Sequence, residues 1–86
     1  MSANRPKPEA STSLQIDYGD PQRARSILEA ITPDNLEAPQ GIDVMAHLDG
    51  ATLKIRVRTR GVASLAATVD DLLSCIQAAE RAIDEI

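Results

Sequence analysis

The stretch Ile42-Asp43-Val44-Met45-Ala46-His47-Leu48-Asp49-Gly50-Ala51-Thr52-Leu53-Lys54-Ile55-Arg56-Val57-Arg58 decides the fold. Ile42, Val44, Ala46 and Leu48 alternate with Asp43, Met45 and His47, and Leu53, Ile55 and Val57 alternate with Lys54, Arg56 and Arg58. That is the period-two pattern of half-buried strands. Between the two runs, the Asp49-Gly50 pair supplies the positive backbone angles of a tight hairpin turn. Successive strand residues point to opposite faces, so the aliphatic residues line one side of the hairpin and the basic residues line the other.

Upstream, Leu14, Ile16 and Tyr18 alternate with Gln15 and Asp17, which predicts a strand from Ser13. Gly19 breaks it. Asp20-Pro21 then predicts a helix start, with a carboxylate at the N-cap and a proline at the first helical position, where a missing N–H costs nothing. Ala24, Ile27, Leu28 and Ile31 share one face of this helix, while Gln22, Arg23, Arg25 and Glu29 fall largely on the other. Thr32-Pro33 is expected to end it after about three turns, because the residue before proline is pushed out of helical geometry. Pro33-Asp34-Asn35 reads as a turn, followed by a loop through Pro39 and Gly41.

Downstream of Arg60-Gly61, Leu65, Val69, Leu72, Ile76, Ala79 and Ile83 step by fours and threes and predict a helix of about six turns. Val62, Ala66 and Leu73 lie beside that stripe. The apolar surface is therefore broader than one contact with a sheet requires, and an outward docking face is expected from it.

Strand, helix, strand, strand, helix is an α+β order with few solutions. A right-handed crossover through the first helix makes strands one and two parallel, and the third, antiparallel to both, slots between them. The expected fold is an antiparallel three-stranded sheet ordered 1-3-2, with both helices on its aliphatic face and a polar face opposite. The 86 residues make one domain, divided here into a flexible tail, 1–12, and a folded part, 13–86.

Composition limits the chemistry. With one cysteine (Cys75) and one histidine (His47), neither an internal disulfide nor a structural zinc set can form. The chain has eight Leu, eight Ile and four Val but no Phe or Trp to anchor a core, so partner surfaces are the expected supplement to its stability. Nine Lys+Arg against thirteen Asp+Glu give −4, which excludes a uniformly basic coat. No run reads as a transmembrane helix and the N-terminus lacks an apolar leader, so a soluble, cytoplasmic protein without membrane contact is expected. Seven Arg against two Lys in an acidic chain mildly suits a salt-rich cytoplasm.

His47 and Cys75 stand on different elements with no third group near in sequence, and Asp70-Asp71 diverge by about 100° on a helix. These are read as structural or solvated residues. The four glycines are spread singly, so no phosphate loop exists. Neither catalysis nor a metal or cofactor is expected. Lys54, Arg56, Arg58 and Arg60 remain. On a strand persisting to Arg60 they share one face about 6.6 Å apart, close to a phosphate spacing, and without interleaved aromatics they would contact a nucleic-acid backbone rather than stack on bases.

The segments Ile31-Thr32-Pro33-Asp34-Asn35, Asp49-Gly50 leading into Leu53-Lys54-Ile55-Arg56-Val57, and Ser64-Leu65-Ala66-Ala67-Thr68-Val69-Asp70-Asp71-Leu72-Leu73 resemble the smallest, dimerising subunit of the archaeal and eukaryotic KEOPS complex, the Pcc or CTAG type. The resemblance spans about Leu14 to Glu80. It implies a homodimeric, non-catalytic scaffold whose helices dock onto the N-terminal lobe of the threonylcarbamoyl transferase subunit. That enzyme modifies the adenosine next to the tRNA anticodon. Carried onto this chain, Leu28, Leu72, Leu73 and Ile76 are assigned to core and docking, and Lys54, Arg56, Arg58 and Arg60 to tRNA. The Pro33-Asp34-Asn35 turn matches the family's, whereas Ala66 stands where members commonly carry a basic residue. A free-standing RNA-binding module is the alternative reading.

Overall fold

In the computed structural model, which describes residues 9–36 and 41–84, the hairpin forms from β2 (Asp43–Asp49) and β3 (Thr52–Thr59). Its turn differs in one respect from the expected Asp-Gly pair. Asp49 is the last residue of β2 and faces Thr52, so the loop is Gly50-Ala51, and only Gly50 has a positive φ, 63°. Positive φ at the first loop position alone is what a type II′ turn requires.

β1 (Ala10–Asp17) precedes the hairpin and pairs antiparallel with β3. It starts three residues earlier than its aliphatic alternation suggests, so Ala10, Ser11 and Thr12 are strand and not tail. They lie opposite Thr59, Arg58 and Val57: β3 is long enough to pair with them, and ladder hydrogen bonds need no apolar side chain. Residues 1–8 lie outside the described part. The sheet order is β1-β3-β2 and every pairing is antiparallel, as expected.

α1 (Pro21–Leu36) and α2 (Val62–Asp84) cover one face of the sheet. α1 packs over β2 and β3, α2 over β3 and β1, and the helices touch each other. Between them Ala24, Ile27, Ile31, Leu53, Ile55, Val57, Leu72, Ile76 and Ala79 are buried. Thr59 ends the buried row of β3, and its hydroxyl donates to the Gly61 carbonyl at 2.7 Å, which satisfies the polar group that burial would otherwise penalise.

α1 begins as its sequence dictates. The Asp20 carboxylate accepts from the Gln22 N–H at 3.0 Å, and the Asp20 carbonyl accepts from Ala24 N–H at 3.0 Å. Its end does not follow expectation, because helical backbone runs through Thr32, Pro33, Asp34 and Asn35 to Leu36 where a turn was expected. The pre-proline restriction disfavours helix without forbidding it. The Thr32 hydroxyl donates to the Leu28 carbonyl at 2.7 Å, a side-chain bond within the turn where the proline ring removes a donor. The expected loop through Pro39 lies outside the described residues, apart from Gly41.

α2, by length and composition, is apolar enough to cross a membrane, contrary to the reading of the sequence that found no such run. Asp70 and Asp71 stand inside it, and aspartates deep in a bilayer are costly. In this fold the helix instead turns Leu72, Ile76 and Ala79 into the core.

Candidate partner and nucleic-acid interface

The strand register lays out the sheet face away from the helices as a grid. Its rows, from β1 through β3 to β2, are Ser11–Arg58–Asp43, Ser13–Arg56–Met45, Gln15–Lys54–His47 and Asp17–Thr52–Asp49. Lys54, Arg56 and Arg58 thus form a basic central strand, as expected from alternation. Three of the four corners are aspartates, however, and Glu9 stands beside the fourth.

These acids take hold of two of the bases. Lys54 Nζ lies 3.1 Å from Asp49 Oδ2, and Arg58 Nη2 donates to Glu9 Oε1 at 2.7 Å. The Glu9 bond is the largest influence on the Arg58 guanidinium, and it holds its pKa above the ordinary arginine value. Arg56, in the middle of the face, makes no ion pair among the described residues. The predicted basic face is therefore balanced by acids at its rim. Both partners of each pair are substantially exposed, so each pair adds little to stability.

Arg60 does not belong to this row. β3 ends at Thr59, and Arg60 lies in the bend before α2. Gly41 has a φ of 88°, which favours glycine, and a Cβ there would stand 3.1 Å from the Arg60 Nε. The arginine turns toward the loop entering β2 because the ladder that would have kept it in register has stopped.

The second surface is the outer flank of α2. At 100° per residue Val62, Ala66 and Leu73 fall within about 40° of one another, and roughly 90° from the buried stripe. Val62 is 76% exposed and Leu73 40%. The four residues assigned jointly to core and docking now separate. Leu72 (7% exposed) and Ile76 (2%) are core and closed to a partner, Leu28 is half-buried against that core, and Leu73 alone faces outward.

His47 is exposed on the open face and Cys75, on α2, is half-buried against the core, so the sheet stands between them. Asp70 and Asp71 are exposed. Among the described residues no group of His, Cys, Asp and Glu could hold a metal ion.

One cluster escaped the sequence reading. The Tyr18 hydroxyl donates to Glu80 Oε2 at 2.6 Å, the Arg23 guanidinium lies 5.6 Å from the Tyr18 ring centroid, and Arg23 binds Asp84 with both terminal nitrogens. It ties the exit of β1 and the start of α1 to the last turns of α2. Burial, then the Glu80 contact, push the Tyr18 pKa well above 10. These partners are 61 and 62 residues apart in sequence, so no local spacing announces them.

Against known proteins, residues 11–84 match the family model described as transcription factor Pcc1. A chain in the crystal structure of the binary Gon7–Pcc1 complex has the same fold, with a TM-score of 0.78 at 19% identity, over 87% of this chain and 93% of that one. Among curated proteins, none matches this sequence.

Proposed function

The chain belongs to the Pcc1 family of KEOPS subunits, and from that premise we propose that it is a non-catalytic, cytoplasmic scaffold subunit. In this reading it forms a homodimer, docks the threonylcarbamoyl transferase subunit through α2, and helps to hold tRNA while the adenosine beside the anticodon is modified. The observation that carries the proposal is the Val62–Ala66–Leu73 flank. It is an apolar strip on a helix whose core-facing stripe is already buried, and it needs a partner rather than more of its own domain.

Two further features support it. Among the described residues β1 and β2 are the two edges of the sheet, and β1 carries no charged side chain from Ala10 to Ile16 to deter pairing with another strand. A six-stranded sheet across a two-fold axis would remove that edge and supply the burial that a small aliphatic core lacks. The balanced open face argues against the free-standing RNA module. With Lys54 and Arg58 already paired, Arg56 is the one base of the central strand without an ion pair among the described residues, and tRNA contact falls to it and its neighbours within the larger assembly.

Light scattering at several protein concentrations, with and without the transferase subunit, tests this reading. A dimer that takes up the transferase is expected. A monomer that ignores it would overturn the proposal.

A further inference from the structure

Two cavities, of about 470 and 610 Å³, adjoin at one end of the open sheet face, and both are lined by Glu9 and Arg58. The first continues past Thr59 to Arg60 and Gly41, and the second continues to Arg56, Ser11 and Ser13. Glu9 and Arg58, joined by their ion pair, are the two lining residues the cavities share. We propose that this ion pair is a gate across a single phosphate-binding groove, and that its ligand is the phosphodiester backbone of RNA. The inference rests on the tRNA-holding part of the proposed function and adds to it a site and its regulation.

With the gate shut, the Glu9 carboxylate occupies the position on Arg58 Nη2 that a phosphate oxygen would take. When it swings away, Arg56 and Arg58 present two guanidinium forks about 6.6 Å apart on one strand face. Arg60 extends the line beyond the strand end, its side chain lying beside Gly41. The Ser11 and Ser13 hydroxyls border the other side as neutral donors. Asp43 remains, so the groove changes from one net positive charge to two. The side chains of Arg58 and Glu9 are 51% and 54% exposed, so opening the pair carries little cost.

An RNA backbone fits this lining better than an acidic peptide. Among the described lining residues only Ile42 is aliphatic, which leaves almost nothing to read a peptide's side chains, whereas spaced forks and hydroxyls are what a chain of phosphates needs.

The test is Glu9→Gln in the full chain, with binding to a fluorescein-labelled oligouridine followed by anisotropy across a salt series. The variant is expected to bind several-fold tighter at low salt, with a salt slope steeper by about 0.7, one additional phosphate contact. Adding Arg58→Ala to Glu9→Gln should abolish the gain. Equal affinity and slope for parent and variant, absence of binding by both, a gain that survives Arg58→Ala, or tighter binding to polyglutamate than to oligouridine would each overturn the gate. Uptake of the transferase, measured on the same two proteins, separates the failures: retained uptake with no RNA effect sinks the gate alone, and no uptake by the parent sinks the scaffold reading.

Discussion

Tyr18 is the chain's only aromatic side chain, and its surroundings make it a reporter of the folded state. Its phenol is partly withdrawn from water and donates to a carboxylate, and both effects disfavour the phenolate. The folded protein therefore keeps this proton at a pH where the unfolded chain, with an ordinary value near 10, has lost it. In that window the native state binds more protons, so this group's contribution to stability is full below pH ~10 and is lost as the pH rises toward the folded value. Tyrosinate absorbance should thus show a midpoint well above 10 in the native protein and near 10 in urea. A native midpoint near 10 would mean that neither the burial of the phenol nor its Glu80 contact holds in solution. Tyr18→Phe should remove the alkaline effect and cost about 1 kcal/mol at neutral pH by leaving Glu80 without its donor. At the other end of the cluster, the Arg23 bond holds the Asp84 pKa below its usual value, so that ion pair acts above pH ~4 and fades as acid protonates the carboxylate.

At the scale of elements, two neighbours on α2 separate packing from docking. Ile76, 2% exposed between the sheet and α1, should cost about 2–4 kcal/mol when truncated to alanine, through lost burial and the cavity left behind. Leu73→Glu, at a side chain 40% exposed, should cost about 1 kcal/mol, less than Ile76→Ala, yet weaken transferase uptake. Denaturant melts and a pull-down of the transferase check the pair; undiminished uptake by Leu73→Glu would dissociate the flank from docking. The period of α2 made a broad apolar surface legible in the sequence, but not which of its residues turn into the core and which outward, because the angle at which a helix meets its sheet is set by the partner elements. The hairpin and the Asp20 cap were legible for the opposite reason: two-residue loops and N-caps are local chemistry. Pro33 misled because a local preference of modest size yields to a helix already propagating. The Lys54–Asp49 pair was within reach, since the hairpin register makes the two residues diagonal neighbours on one face. Glu9 was not, because its place depends on β1 extending back to Ala10 along β3, and nothing apolar in Ser11-Thr12-Ser13 signals that.

For the whole molecule the deciding quantity is charge placement rather than net charge. A chain of −4 can hold tRNA only where its cations stand together, and the central strand is where they do. The acids at the rim lower the field there, so the proposed function predicts weak tRNA binding by the isolated chain and stronger binding by the assembly. Arg56→Glu with Arg58→Glu reverses the two bases on the outward face without touching the buried row of Ile55 and Val57, so the fold and the transferase contact should both survive. The assembled complex carrying this double variant should bind tRNA more weakly, and its log affinity should fall less steeply with log salt, by roughly 1.5 for two lost phosphate contacts. Filter binding of tRNA to the assembled complex across a salt series measures both quantities. A parallel salt line at lower affinity would point to a distorted assembly rather than lost phosphate contacts, and coincident lines for variant and parent would remove the central strand from the tRNA path.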